Sequence, residues 1–173
     1  MLIEPRLFHD DRGSFWESFQ SERYRDIGLP EQGLSFVQDN CSRSRRGVVR
    51  GLHYQLERPQ AKLVTCIVGE ILDVIVDMRR GSSEFGRVRT FSLSEENRRQ
   101  VYVPIGFAHG FCAISERADI LYKVTDYYDP ASERTLLWND PSLSIQWPFS
   151  ADEVIVSEKD RRGRRLNDAE PFE

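Results

Sequence analysis

The stretch that decides the fold class reads Leu63-Val64-Thr65-Cys66-Ile67-Val68-Gly69-Glu70-Ile71-Leu72-Asp73-Val74-Ile75-Val76-Asp77. Two β-prone runs flank a Gly-Glu pair, and this spacing predicts a tight β-hairpin over Leu63–Asp77. Successive strand residues point to opposite faces. Leu72, Val74 and Val76 should therefore face one way, and Ile71, Asp73, Ile75 and Asp77 the other. We expect two strands here.

Runs of the same kind recur along the chain, with turn residues at the 8–12-residue spacing typical of β-sandwiches and barrels. Further strands are predicted at Ser35–Gln38, Val48–Gln55, Arg87–Leu93, Gln100–Val103, Gly110–Ile114, Ile120–Asp126 and Leu136–Trp138. Helical signals are few: a short helix over Ser18–Ile27, a capped turn at Ser94–Asn97 and a turn within Ser150–Ser157. This pattern predicts an all-β fold, and about ten strands in this length fit a jelly roll.

Length and composition narrow the class of protein. The 173 residues suit one domain, residues 1–173, and 30% charged with 39% hydrophobic residues is typical of a folded globular chain. A net charge of -4 gives no general attraction to nucleic acid or anionic membranes. No apolar run approaches the ~20 residues of a membrane helix. Met1–Pro5 lacks signal-peptide features, so we expect a cytoplasmic protein.

The three cysteines, Cys41, Cys66 and Cys112, are odd in number and form no C-x-x-C pair, so no disulfide framework is expected. Cys66 and Cys112 lie in apolar runs and are predicted to be small buried hydrophobes.

Two of the three histidines are candidates for a catalytic or ligand-binding role. His53 shares a predicted strand face with Gln55, whereas Arg50 falls on the other face unless the chain bends at Gly51. His109 stands between small residues, where a ligand can approach closely. Each histidine could equally be a hydrogen-bonded core residue. His9 is predicted to be at the surface.

Taken singly, Lys62, Tyr122 and Asp160 are ordinary residues: a strand-end charge, a core tyrosine and a surface carboxylate. Their order in the chain carries more information. The chain resembles the dTDP-4-dehydrorhamnose 3,5-epimerase family from about Ile3 to about Arg165. The matching strings are Asp11–Glu17, Phe36–Asn40, Val49–Gln55, Lys62–Val64, Gly69–Val74, Pro104–Phe111, Tyr122-Lys123, Asp126–Tyr128, Trp138–Asp140, Trp147-Pro148 and Ser157–Asp160.

This resemblance implies a cupin-type jelly roll that acts as a homodimer without metal or other cofactor. The implied reaction converts dTDP-4-dehydro-6-deoxy-D-glucose, a dTDP-4-keto-6-deoxyhexose, to dTDP-4-dehydro-L-rhamnose. Both inverted carbons, C3 and C5, flank the C4 ketone, so their hydrogens are weakly acidic. Such a reaction needs a base, an acid on the opposite face of the sugar and a cation near the enolate oxygen.

The resemblance also implies a role for each matching residue. His53 is the base, Asp160 its partner, Tyr122 the acid and Lys62 the cation at the C4 oxygen. His109 and Arg50 match substrate-binding positions, with Arg50 at the diphosphate. Tyr128 matches a tyrosine that stacks on the thymine ring. Further nucleotide- or sugar-contacting positions, some supplied by the partner subunit, are Arg12, Glu17, Gln38, Asn40, Glu133 and Lys159.

The chain departs from the family pattern in two places. Family members usually carry about ten more residues before Met1, and the loop Leu56–Ala61 varies. Neither departure removes a proposed catalytic group.

Three alternatives stay open at this point. An epimerase acting only at C3 or only at C5 would need the same base, acid and cation. A carbohydrate-binding jelly roll without catalysis would need the pocket but not those groups. A metal-dependent cupin oxygenase would use His53 and His109 with a carboxylate, although Gln55 stands where the usual cupin motif has its second histidine.

Overall fold

The computed structural model describes residues 1–173 and contains thirteen strands. These are β1 (Leu2–Ile3), β2 (Leu7–Asp10), β3 (Gly13–Trp16), β4 (Gln38–Arg45), β5 (Val48–Gln55), β6 (Lys62–Val68), β7 (Glu70–Asp77), β8 (Val88–Ser94), β9 (Gln100–Val103), β10 (Phe107–Ala113), β11 (Arg117–Val124), β12 (Glu133–Thr135) and β13 (Ile155–Val156). The helices are short: α1 (Ser21–Asp26), α2 (Glu158–Arg161) and 3₁₀ turns at Pro141–Leu143 and Leu166–Asp168. None of these helices is long and apolar enough to cross a membrane.

Two large sheets face each other. One has the order β1-β9-β6-β11-β4, and the other has the order β12-β5-β10-β7-β8, with β13 added parallel to β5. The pairs β4/β5, β6/β7, β8/β9 and β10/β11 each step from one sheet to the other. This alternation makes a jelly roll, as predicted. Strands β2 and β3 form a separate hairpin.

The predicted hairpin at Gly69-Glu70 is wrong, although both of its strands exist. Strand β6 pairs with β9 and β11, whereas β7 pairs with β8 and β10, so the chain crosses between sheets at Gly69. The turn's backbone bonds to neighbouring connections: the Glu95 N–H donates to Gly69 O, and the Glu70 N–H donates to Ser115 Oγ. Gly69 has φ +76°, and a Cβ there would collide with the Arg117 carbonyl. A Gly-X pair indicates that the chain reverses direction, but it does not indicate whether the two strands pair in one sheet. Here the turn connects strands of two different sheets.

The alternation predicted for β7 is confirmed, and both of its faces are buried. Ile71 and Ile75 belong to a core of eleven residues between the two sheets. Val74 and Val76 belong to a second core on the outer face of the six-stranded sheet, which is covered by the C-terminal segment through Leu143, Leu166 and Phe172. The outer face of the other sheet packs against Tyr24 of α1. The sheet that carries β5 and β10 is thus fixed on both sides.

Several predicted boundaries shift. A strand was predicted at Ser35–Gln38, but the observed strand β4 begins at Gln38. Ser35–Val37 precedes this edge strand and is not part of it. Leu136 forms an isolated bridge with Arg164 and exchanges backbone hydrogen bonds with Leu52, but β12 ends at Thr135, so Leu136–Trp138 is not a strand. Helix α1 spans the middle of Ser18–Ile27, and Ser94 and Asn97 bond reciprocally in the predicted capped turn. All three cysteines are free, and Cys66 and Cys112 are buried, as expected.

Candidate active site

A cavity of about 570 Å³ opens between the two sheets. A second lobe of about 260 Å³ shares His53, Lys62 and Tyr122 with it. The two walls differ in chemistry. The six-stranded sheet contributes His53 from β5 and His109 from β10, while the five-stranded sheet contributes Lys62 from β6 and Tyr122 from β11. A ligand in the cavity therefore has imidazoles on one side and an ammonium and a phenol on the other.

His53 forms a dyad with Asp160, 107 residues later. Its Nε2 lies 2.6 Å from Asp160 Oδ1. Asp160 is buried at the N-terminal turn of α2, where its N–H donates to Ser157 Oγ over 3.1 Å. Burial opposes ionisation of Asp160, but hydrogen bonds from His53, the Gly51 N–H and Ser157 outweigh it and hold the pKa of the carboxyl below its usual value. A carboxylate on Nε2 keeps the proton there and leaves Nδ1 as the basic nitrogen.

A bulge in β5 brings Arg50 to the same cavity. His53 pairs with His109, but Arg50 pairs with Phe111, so two residues of β5, Gly51 and Leu52, oppose the single Gly110 of β10. Gly51 stands in this bulge with φ +106°, and a Cβ there would clash with the His109 carbonyl oxygen. The bend that the sequence required at Gly51 is present. Arg50 is anchored by Ser44 Oγ at 3.0 Å and by the Arg43 carbonyl at 3.0 Å.

A second histidine–carboxylate pair lies beside the first. His109 Nε2 is 2.7 Å from Asp73 Oδ2, and Asp73 is fully buried. Because His109 and His53 are directly opposite each other in the antiparallel register, the two imidazoles are neighbours on one wall.

Lys62 and Tyr122 lie on neighbouring strands of the opposite wall. Burial lowers the pKa of the Lys62 ammonium to about 8, against the opposing effect of Glu133 and Asp73. Burial likewise raises the pKa of the Tyr122 phenol, which the positive charge of Arg50 partly offsets. At neutral pH Lys62 is thus mainly a cation and Tyr122 a proton donor.

The second lobe is lined by amide, carboxylate and phenol groups. Gln38 Nε2 donates to Asn40 Oδ1 over 2.8 Å. Glu133 accepts from Lys159 Nζ at 2.7 Å and from the Tyr128 hydroxyl at 2.9 Å. Burial opposes ionisation of Glu133, yet these hydrogen bonds hold the pKa of its carboxyl below the usual value. This lobe can bind a polar group that extends out of the main cavity.

Two residues of the predicted set lie outside the cavity. Arg12 is at the exposed tip of the β2–β3 hairpin, where it pairs with Asp10, and Glu17 pairs with Arg23. Within one chain, the structure therefore brings together eleven of the thirteen predicted positions: Gln38, Asn40, Arg50, His53, Lys62, His109, Tyr122, Tyr128, Glu133, Lys159 and Asp160.

The sequence did not single out two polar residues that line the cavity, Ser42 and Ser157, or the buried Asp73 that bonds the lining residue His109. Asp73 pairs with His109, Ser157 caps the turn that holds Asp160, and Ser42 lines the wall with its Oγ lacking a hydrogen-bond partner. Ser42 could have been found, because it shares the period-2 face of Gln38 and Asn40.

Gln55, at the position where a cupin metal site would place a histidine, is held by backbone groups. Its amide donates to the Arg58 carbonyl at 2.6 Å, and its carbonyl accepts from the Asp129 N–H at 3.0 Å. No group of three or more His, Cys, Asp or Glu side chains has a geometry that could hold a metal ion.

Comparison with known proteins shows the family of this chain. A model of the family described as dTDP-4-dehydrorhamnose 3,5-epimerase matches residues 1–168. The chain belongs to the dTDP-4-dehydrorhamnose 3,5-epimerase family. An enzyme of that name from Pseudomonas aeruginosa is 52% identical over 173 residues, which cover 99% of this chain and 93% of that protein. The fold and an isomerase activity follow from membership of the 3,5-epimerase family.

Two solved structures bear on which carbons are inverted. A dTDP-6-deoxy-D-glucose-3,5-epimerase from Legionella pneumophila, in complex with dTDP-4-keto-L-rhamnose, superposes with a TM-score of 0.91 at 49% identity, covering 96% of this chain and 87% of that one. A 3'-monoepimerase from Streptomyces bikiniensis, in complex with dTDP-quinovose, superposes at 0.88 with 33% identity, covering 96% and 83%. The higher identity to the 3,5-epimerases favours two-carbon epimerisation over the single-carbon alternative.

Proposed function

We propose that this chain converts dTDP-4-dehydro-6-deoxy-D-glucose to dTDP-4-dehydro-L-rhamnose by inverting C3 and C5 in the cavity between the sheets. The observation that carries the proposal is the division of groups between the two walls. The His53–Asp160 dyad lies on one wall, and Lys62 and Tyr122 lie on the other.

The first step is removal of the hydrogen next to the C4 ketone. His53 accepts this proton on the nitrogen that does not bond Asp160, and the Asp160 carboxylate stabilises the imidazolium that forms. Asp160 is suited to this role because it is buried and remains ionised at neutral pH.

The enolate that results carries its negative charge on the C4 oxygen. Lys62 is the group proposed to stabilise it. Its ammonium makes no salt bridge or hydrogen bond in the chain, so all three N–H donors are free for a ligand. Its surroundings are partly desolvated, which strengthens its interaction with a developing anion.

Inversion requires that a proton return to the opposite face of the carbon. Tyr122 meets this need because it lies on the wall facing His53 and because its phenol is protonated at neutral pH. The same base, cation and acid can act at C3 and at C5, since both carbons flank one ketone.

The remaining cavity residues are proposed to bind the nucleotide. Arg50 provides a guanidinium for the diphosphate, and His109 contacts the sugar. Tyr128 offers an exposed ring for stacking on thymine. Gln38, Asn40 and Glu133 provide polar contacts in the second lobe, and Lys159 provides one in the main cavity, where it also bonds Glu133.

A homodimer is proposed to complete the site. The β2–β3 hairpin exposes Phe8 and Phe15, with relative exposures of 48% and 69%, and it carries Arg12 away from the cavity of its own chain. Contact with a second copy would cover these rings and would bring Arg12 and Glu17 to the partner's cavity. Freedom from metal and a cytoplasmic location remain predictions.

The test of the proposal is turnover of the purified chain with dTDP-4-dehydro-6-deoxy-D-glucose, with the product identified by NMR. His53→Ala should lose about 10²–10⁴-fold in kcat, while dTDP binding measured by calorimetry is retained. Turnover close to that of the parent chain in His53→Ala would remove the base from the mechanism. A carbohydrate-binding protein without catalysis would bind the nucleotide sugar and leave it unchanged.

A further inference from the structure

The β2–β3 hairpin has few directional contacts with the rest of the chain. Its two strands pair only with each other, and residues 5–16 make no hydrogen bond or salt bridge outside that segment. The segment nevertheless carries Arg12, which the proposed function assigns to the partner's cavity. Contacts at the ends of the hairpin must therefore set the direction in which it points.

These contacts come from residues 98–100, where the chain enters β9. Arg99 Nε donates to Glu4 Oε1 over 2.8 Å, which fixes the chain just before the hairpin. Gln100 Nε2 donates to the Ser18 carbonyl over 2.9 Å, which fixes the chain just after it. One short segment thus holds both sides of the hairpin.

Arg98 holds the base of the hairpin itself. Its guanidinium carbon lies 4.0 Å from the centre of the Trp16 ring, and its Nη1 donates to the Ile67 carbonyl over 3.3 Å. A guanidinium over an indole face is attracted by the charge distribution of the ring. Arg99 pairs with a carboxylate, but Arg98 does not, so the indole and one carbonyl are the partners of its charge.

The backbone at Arg98 is fixed in an unusual conformation. Arg98 has φ +53°, in the left-handed region that residues other than glycine rarely adopt. Its N–H donates to the Ser94 carbonyl over 3.0 Å, and Ser94 and Asn97 bond each other reciprocally. Such a conformation persists only where the surrounding structure determines it. A rigid turn therefore aims the Arg98 side chain at Trp16.

Trp16 determines which face of the hairpin is turned outward. It pairs with Leu7 across the hairpin, and both side chains are half-buried. The next pair, Phe8 and Phe15, lies on the opposite face and is exposed. Holding Trp16 against the rest of the chain therefore directs the two phenylalanine rings to the side where contact with a second copy is proposed.

We propose that Arg98 is a positioning residue that acts across the dimer. By holding Trp16, it sets the direction in which the hairpin presents Arg12 to the partner's cavity. The inference rests on the proposed function, in which the two subunits share their sites. Arg98 lines neither lobe of the cavity. It should therefore affect substrate binding in the partner subunit and leave proton transfer there unchanged, since the base, the acid and the cation stay in place.

The experiment places Arg98→Met in one chain of a mixed dimer at a time. Methionine keeps an apolar stem and removes the charged group. When Arg12→Ala and His53→Ala chains are mixed, the one intact site combines the cavity of the Arg12→Ala chain with the hairpin of the His53→Ala chain. Arg98→Met in the His53→Ala chain alters the hairpin that this site uses. In the Arg12→Ala chain it alters the other hairpin.

The two placements should give different results. In the His53→Ala chain, Arg98→Met should raise the KM of the restored activity at least about fivefold, as expected for a lost cation–π contact, and change kcat less than about twofold. In the Arg12→Ala chain, it should change neither constant. Arg87→Met is the matched control, because Arg87 pairs with Glu84 at the surface. It should have no effect in either chain.

The mixtures are compared at a protein concentration at which light scattering shows only dimers. An equal loss in both placements would mean that Arg98 merely stabilises the fold or the dimer, and it would overturn the inference, as would no loss in either. If Arg98→Met chains do not fold, Trp16→Leu removes the same contact from the hairpin side, with the same difference expected between placements. No restored activity in the mixture without Arg98→Met, with subunit exchange confirmed, would instead refute the shared site, and the inference with it.

Discussion

Replacing Lys62 with methionine should stabilise the fold while it damages the site. Burial lowers the pKa of Lys62 from the ordinary 10.5 to about 8. At about 1.4 kcal/mol per pKa unit, the charged side chain costs at most about 3.5 kcal/mol of folding free energy. Because Lys62 borders an open cavity, where solvent screens part of this cost, we expect about 2 kcal/mol for Lys62→Met. No hydrogen-bond partner is orphaned, since the ammonium has none within the chain.

The pH dependence gives the prediction its specific signature. A lysine whose pKa is lower in the folded than in the unfolded chain destabilises the fold fully below pH 8. This cost disappears as the pH rises towards 10.5, where both states have lost the proton. The advantage of Lys62→Met over the parent should therefore be largest at pH 7 and should vanish between pH 8 and 10.5.

The assay is urea unfolding of both chains at a fixed protein concentration, at pH 7 and at several higher values. Lys123→Met is the control, since Lys123 pairs with Asp39 and its removal should give no gain. A Lys62→Met chain no more stable than the parent at pH 7, or a gain that persists at pH 10.5, would refute the reasoning.

Three further predictions address the chemistry and the assembly. Tyr122→Phe should still exchange substrate hydrogen for solvent deuterium but form at least about tenfold less inverted product. Tyr24→Phe, which loses a buried hydroxyl outside the cavity, is the control and should invert the sugar at the parent rate. If Tyr122→Phe also inverts it at the parent rate, another group is the acid. Activity should survive exhaustive dialysis against a chelator, and its loss with recovery on adding a divalent ion would contradict a metal-free site. Mixing inactive Arg12→Ala chains with inactive His53→Ala chains should restore about a quarter of the parent activity. Random exchange of subunits makes half of the dimers mixed, and each mixed dimer has one intact site of its two. No recovery of activity, with subunit exchange confirmed, would mean that Arg12 does not serve a partner's cavity.

The sequence predicted the fold class because alternation of apolar residues reports strands reliably. It did not predict which strands pair. Leu63–Val68 and Ile71–Asp77 both exist as strands, but their alternation is the same whether the turn at Gly69 joins neighbours in one sheet or crosses between two. The choice depends on contacts with Ser115 and Arg117, which are distant in sequence.

The site residues could be predicted only where the family resemblance supplied them. Resemblance suggested His53 and Asp160 together, although 107 residues separate them and no spacing rule connects them. Asp73 was placed on the correct face of its strand, yet nothing in the local sequence indicates that His109 of β10, which is opposite Ile75, bonds it diagonally. A partner contributed by an adjacent strand is a property of sheet register, which one sequence does not reveal.

The most direct test of the central claim is deuterium incorporation by the purified chain in D₂O. With dTDP-4-dehydro-6-deoxy-D-glucose as substrate, we expect NMR to show dTDP-4-dehydro-L-rhamnose that carries solvent deuterium at both C3 and C5, with both carbons inverted. Deuterium and inversion at only one of these carbons would contradict two-carbon epimerisation, and their absence from both would contradict the assignment of this cavity as an epimerase site.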